Sequence, residues 1–247
     1  MIKPPFVRPE DEVKVVGRVF GTPLVVKGYT WLPLVQLVTW LILAWVAGRR
    51  KPERSWGQRL AIGGLSMPVV LGSEWCHNLS HAAAARWIGK PMDAIRIIWG
   101  MPLLIYYDIN DQSVSPRQHI GRALGGPAFN GLAWAAAWLL RRRAWAGSAL
   151  GEVADAAAKM NGFIAGVGLL PIPGIDGGPI LKWSLVELGH TPGEADGVVR
   201  KVNGALGAGL AGAGAVALKR RRWLEGGLLV MLAATALSIA SGLLKEQ

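Results

Sequence analysis

Two stretches of this chain, Thr30 to Gly48 and Trp223 to Leu244, are as apolar as, and close in length to, the roughly 20 residues that a helix needs to cross a bilayer. That feature limits the fold more than any other. Lipid offers no hydrogen bonds, so a backbone placed in it must satisfy itself as helix or closed barrel. With 51% of its residues hydrophobic and 17% charged, the chain is also too apolar for an ordinary soluble domain. Read end to end, it is expected to be an α-helical, polytopic, multi-pass integral membrane protein with about six transmembrane helices. The further spans fall at Leu60 to Ile88, Ile120 to Leu140, about Ala156 to Leu170, and Val202 to Leu218.

The formal charge of +11, from 27 basic and 16 acidic residues, raises the question of nucleic acid. Its distribution answers against it. The excess sits in short runs just outside apolar segments, Arg49-Arg50-Lys51, Arg141-Arg142-Arg143 and Lys219 to Arg222, where cations meet the headgroups of a lipid bilayer. No basic stripe is interleaved with exposed aromatics as a nucleic-acid groove would require. The 12 tryptophans suit the interfacial belts of spanning helices. One cysteine, Cys76, excludes an intramolecular disulfide and a Cys-based zinc finger, and it is expected to pack as a small apolar group. Met1 to Lys27 has no early apolar run, so Thr30 to Gly48 is expected to be an uncleaved first span.

Two segments interrupt the helical pattern. Val13 to Gly28 alternates, is β-branched and is broken by Gly21-Thr22-Pro23, as a hairpin would be. Met92 to Gln118 carries the short apolar runs IRIIW and LLIYY around Gly100-Met101-Pro102 and reads as a second hairpin at the membrane surface. Lys182 to Gly189 is expected to be a short helix. The Gly/Ala-rich segment Gly204 to Ala217 contains a formal GxGxxG, but no strand precedes it, so its small residues serve helix packing rather than a dinucleotide. The chain thus divides into an N-terminal extramembrane β element (1–28), a first span with its basic loop (29–59), a core holding the polar residues (60–189) and a C-terminal helical pair (190–247).

The chemistry lies in the second span, where Glu74, His77, Asn78, Ser80 and His81 interrupt an apolar run. His77 and His81 are four apart, so both imidazoles lie on one helix face and can grip one metal ion. Two histidines bonded to neighbouring helices is the plainer reading, but ionisable groups at membrane depth are costly and mark function. A catalytic zinc wants three protein ligands and one open position. Asp176, in GLLPIPGIDGGPIL, is the candidate third ligand, because prolines and glycines there break the helix where irregular backbone can line a cavity; an aspartate in a surface turn is the alternative. His119 and His190 lie near turn residues and are expected to be solvated.

These residues resemble the site-2 protease family. His77-Asn78-Leu79-Ser80-His81 looks like its HExxH helix, Gly126-Pro127-Ala128-Phe129-Asn130 like its GPxxN motif, and Pro171 to Gly178 like its proline-rich approach to a DGG turn, in family order from Leu60 to about Leu185. The resemblance implies Zn2+ held by His77, His81 and Asp176, a core of three spans around the metal, and a substrate-holding role for Asn130. It also implies a substrate segment laid beside an edge strand of the second hairpin, and hydrolysis of a transmembrane or membrane-proximal peptide bond by zinc-activated water.

Two departures matter. The family's general-base glutamate is Asn78 here, and an amide cannot take a proton from water. A family asparagine that helps hold the substrate falls on Gly168, with Asn161, two helical turns earlier, resembling another asparagine of the pattern. Glu74 shares the histidines' face and is a substitute base, a polar partner of the ligand helix that would most naturally orient His77, or a carboxylate paired with a cation. The alternative function is a catalytically inactive pseudoprotease that binds membrane segments. A transporter with a His/Asp site at the midplane is disfavoured by the lack of an internal repeat.

Overall fold

Both expected hairpins form, and each closes through the same kind of two-residue turn. A computed structural model describes residues 11–144 and 148–244; the first ten residues of the expected β element and the last three of the C-terminal pair lie outside it. Strands β1 (Lys14–Val19) and β2 (Thr22–Val26) are joined by Phe20-Gly21 at φ 49° and 83°. Strands β3 (Ala94–Ile98) and β4 (Met101–Ile105) are joined by Trp99-Gly100 at φ 52° and 85°. Two consecutive positive φ values match the right-handed twist of the flanking strands, and glycine takes the second without strain. The hairpins then merge. β2 pairs parallel to β3, Leu24 with Ile95 and Val25 with Arg96, giving one sheet in the order β1-β2-β3-β4.

The helices are α1 (Leu34–Arg50), α2 (Trp56–Trp87), α3 (Pro116–Arg143), α4 (Ala149–Gly168), α5 (Gly177–Glu187), α6 (Pro192–Lys219) and α7 (Trp223–Ala240). Six of them stand where the six spans were expected, and α5 is the short helix, begun five residues before the expected Lys182. α6 begins ten residues earlier than its apolar segment, at a capping box in which Thr191 and Glu194 exchange side-chain and backbone bonds. α2 starts at a similar box between Ser55 and Gln58 and runs unbroken for 32 residues through Pro68.

Burial in these helices is inverted relative to a soluble bundle. α1 buries Ala44, Ala47 and Gly48 while Leu37, Val38, Leu41, Ile42 and Trp45 stand exposed; α2 buries glycine, serine, alanine, histidine and asparagine, with Leu71 the one large aliphatic among its buried residues. Among the described residues α7 is the one helix long and apolar enough to cross a membrane. The others fall short for visible reasons: α1 has 17 residues and α5 has 11, α2 and α3 carry polar site residues, α4 carries Glu152, Asp155 and Lys159, and α6 is rich in glycine.

The described residues form two compact units, one within Met1–Asp111 and Leu124–Gly166 and one within Gln112–Ala123 and Val167–Gln247. In the first, α1 lies on α2 through Gly63, where a Cβ would come within 2.8 Å of the Ala44 nitrogen, and the Trp40 indole donates to the Leu60 carbonyl at 2.9 Å. The far end of α2 lies under the sheet, with Ala82 and Ala85 against Met92 and Ile95. In the second unit Ile172, Leu232, Ala236 and Ile239 form the core. There the turn after α4 is held by Asn203 of α6, fully buried, which donates to the Pro171 carbonyl at 2.7 Å.

At the basic end of the first unit, Arg54 makes a bidentate pair with Glu152 in the first turn of α4, one arm at 2.9 Å. The hydrogen bond from Arg54 holds the Glu152 carboxyl below the usual glutamate range, against the opposing effect of burial. A depressed carboxyl contributes stability that is complete above its unfolded value, about 4.3, and is lost as pH falls through the folded one. Thermal unfolding should therefore show a fall in midpoint below about pH 4 that is shallower in Arg54→Gln. Equal slopes in the two proteins would remove this pair from the acid response.

Candidate metal site

Two glycines let α3 approach α2 where the histidines stand. A Cβ at Gly125 would lie 2.6 Å from the Ser80 carbonyl oxygen and 2.9 Å from the Ala84 Cβ, and one at Gly126 would collide with both imidazoles. Pro127 follows, lacking the N–H that would bond one turn back, which loosens the helix at this point. Asn130, one turn further on, is fully buried and places its Oδ1 2.5 Å from His77 Nδ1. The motif Gly-Pro-x-x-Asn thus has a physical reading: approach, opening, anchor.

The rings of His77 and His81 are buried, lie 4.7 Å apart between centroids and meet edge to face, with their Nε2 atoms 3.1 Å apart. Two nitrogens bound to one tetrahedral zinc at about 2.0–2.1 Å stand roughly 3.3 Å apart. The pair therefore fits such an ion with little adjustment, and a methyl group at Gly126 would fill the space that the Nε2 atoms face.

A chain of hydrogen bonds sets the tautomers. At one end the Gly126 N–H, a donor only, points at His81 Nδ1 at 3.3 Å. At the other, Asn161 Nδ2 donates to the Ala157 carbonyl at 2.9 Å and to Ser73 Oγ at 2.8 Å, and Ser73 Oγ donates to the Val69 carbonyl at 2.8 Å. These backbone groups cannot exchange roles, so Asn161 presents Oδ1 to Asn130 Nδ2 at 2.6 Å, and Asn130 presents Oδ1 to His77. With uncharged rings, His77 then carries its proton on Nδ1 and keeps a lone pair on Nε2, while His81, whose Nδ1 accepts from Gly126, carries its proton on Nε2 and donates it to His77 Nε2; a metal ion held by both Nε2 atoms would take the place of that proton. A metal-binding histidine is fixed in just this way, by an acceptor on its other nitrogen.

Asn78 is buried and its amide donates back to the Glu74 carbonyl at 3.0 Å and to Glu74 Oε1 at 3.1 Å. Of the three roles open to Glu74, the bond it makes is that of a polar partner on the ligand helix, to Asn78 and not to His77, whose Nδ1 faces Asn130. Asn130 and Asn161, assigned to substrate by resemblance, spend their amides on His77, Ser73 and each other. Ser73 was not singled out in the sequence, and it lies 88 residues from Asn161.

In the second unit Gly168 ends α4, and Gly174 takes φ +87° in the turn that follows. Gly177 and Gly178 press against the backbone of Leu170 and Ile172, where no Cβ would fit. Asp176 precedes α5, and its carboxylate makes no cap bond to that helix. His119 departs from expectation: it is 3% exposed, stacked 3.8 Å from the Trp183 ring, with Arg122 Nη2 2.7 Å from its Nδ1. His190 is exposed as expected, and so is Cys76, which was expected to pack.

No protein-family model matches the chain, and no curated protein matches it in sequence. Among solved structures it is similar to a site-2 protease from Methanocaldococcus jannaschii, with a TM-score of 0.51 and 12% identity over 94% of each chain.

Proposed function

We propose that this chain, which shares the fold of a site-2 protease, is a membrane-embedded zinc metallopeptidase acting on a transmembrane or membrane-proximal peptide, with catalysis reduced by Asn78. The observation that carries the reading is the pair of buried Nε2 atoms at 3.1 Å, one of them on a ring whose other nitrogen is anchored by an amide oxygen. His77 and His81 are two of the ligands, and Asp176, in the turn that resembles the family's DGG, is the third. Zinc supplies Lewis acidity toward water and a peptide carbonyl. Multi-pass membrane residence is supported by the inverted burial: large apolar side chains outward and small residues at helix contacts suit lipid.

The substrate segment is read as adding to β4, which ends the sheet. Ile98 and Met101 flank the two-residue turn and bond each other, so Pro102 turns its backbone outward, where it has a carbonyl but no N–H. Leu104, two residues on, presents both groups and fixes the register.

A second reading, a pseudoprotease that binds membrane segments without cutting them, is favoured by one observation: the amide of Asn78 is tied to Glu74. Metal analysis of the purified protein separates a metal site from a plain polar core. The wild-type chain should retain about one zinc after dialysis, and His77→Ala, His81→Ala and Asp176→Ala should each lose it. Zinc retained by the Asp176 variant at the wild-type level would remove that ligand, and a wild-type chain that takes up no zinc would overturn the site.

A further inference from the structure

Away from the histidines, α1, α2 and α4 of the first unit enclose a half-open groove of about 280 Å³. Its walls are apolar, with Leu43, Val46, Ile62, Val70, Met160 and Phe163, and its rim carries Arg50, Glu152 and Lys159. The rim has an excess of positive charge. Asp155 is shared by Arg50 at 2.8 Å, Arg141 at 2.9 Å and Lys159 at 2.7 Å, while Glu152 is shared by Arg54 and Lys51. Five cations therefore crowd these two carboxylates, and with Glu53 also near Arg54 the cations still outnumber the acids.

The same end bears three guanidinium groups over indole rings: Arg49 over Trp45 at 5.4 Å, Arg59 over Trp56 at 5.1 Å and Arg142 over Trp138 at 4.6 Å. Tryptophan and arginine together mark the headgroup level of a bilayer. From Arg50 to Leu43 the groove follows α1 for two turns, roughly 10 Å at 1.5 Å per residue, so it runs from that level into the apolar layer.

We infer that this groove seats an anionic phospholipid, one acyl chain along Leu43, Val70 and Phe163 and the phosphate at Arg50 and Lys159. The inference rests on the proposed membrane residence. A wholly apolar occupant would leave the excess charge uncompensated, and a zwitterionic headgroup would compensate it less; basic pockets between membrane helices are suited to anionic headgroups.

The test uses the full chain purified in mild detergent and offered phosphatidylglycerol or phosphatidylcholine, with bound lipid counted by native mass spectrometry and zinc content followed as a check on the fold. The wild type should retain one phosphatidylglycerol in preference to phosphatidylcholine. Arg50→Gln with Lys159→Gln should lower that preference roughly 10- to 30-fold, and Ala156→Trp, which fills the groove, should abolish retention with zinc unchanged. Equal retention of both lipids by the wild type, phosphatidylglycerol retained by the filled variant, or a lipid-free dimer would each overturn the inference. Alkaline washing of cell membranes reads the premise separately: a chain released by the wash overturns membrane residence, and one that stays but keeps no phosphatidylglycerol overturns the lipid site alone.

Discussion

Asn78→Glu combined with Glu74→Gln is expected to raise cleavage of a model membrane substrate by about 10²- to 10⁴-fold over the wild-type chain, the usual contribution of a positioned general base. The single change Asn78→Glu should gain much less. The Asn78 amide lies 3.1 Å from Glu74 Oε1, so a carboxylate placed there meets another. Two carboxylates in contact do not both ionise, and the proton they share blocks the base. Glutamine at 74 relieves the repulsion and still offers an amide N–H to the new carboxylate. The measurement is cleavage of a fluorogenic peptide in proteoliposomes, with zinc content matched between proteins. A wild-type chain already cutting as fast as the double variant would show that Asn78 costs nothing; a zinc-loaded double variant that does not cut would leave the pseudoprotease reading standing.

The second large effect is at Gly126. Alanine there directs its methyl into the imidazoles of both His77 and His81, so the rings or the helix must move. Zinc affinity should fall by up to roughly 100-fold, the upper end of what neighbours of metal ligands usually cause. Overpacking of this kind typically costs about 1–3 kcal/mol, so the fold should persist. Gly131, on the same helix, has open space where its Cβ would be, and Gly131→Ala should leave zinc content unchanged. If the two alanine variants retained zinc equally, the close approach at Gly126 would have no bearing on the metal.

Much of this arrangement is written locally. Gly21 and Gly100 announce both hairpins, although Thr22-Pro23 and Met101-Pro102, read with them as the breaks, belong to the strands that follow; the i, i+4 histidines announce a shared face, and the prolines and glycines around Asp176 announce the break before α5. What escaped reading was set by residues distant in the chain. Asn130 and Asn161 stood out as motif residues, but Ser73 did not, and the bonds that join the three span 31 and 88 residues. The parallel pairing of β2 with β3 crosses two helices, and no local pattern encodes it. His119 stands beside turn residues but meets Trp183, 64 positions on, and so is buried. The early start of α6 was legible, because Thr191-Pro192-Gly193-Glu194 is a capping-box signature; the apolar run alone drew attention to its later part.

The bonds from Gly126 to Val69 have a direction, and no member can turn round alone. Rotating the amide of Asn130 would set oxygen against oxygen at Asn161, and rotating Asn161 as well would set oxygen against the Ala157 carbonyl. The row therefore behaves as a latch with one closed position, and the nitrogen that His77 offers is decided by a helix carbonyl on α4 that touches neither ring.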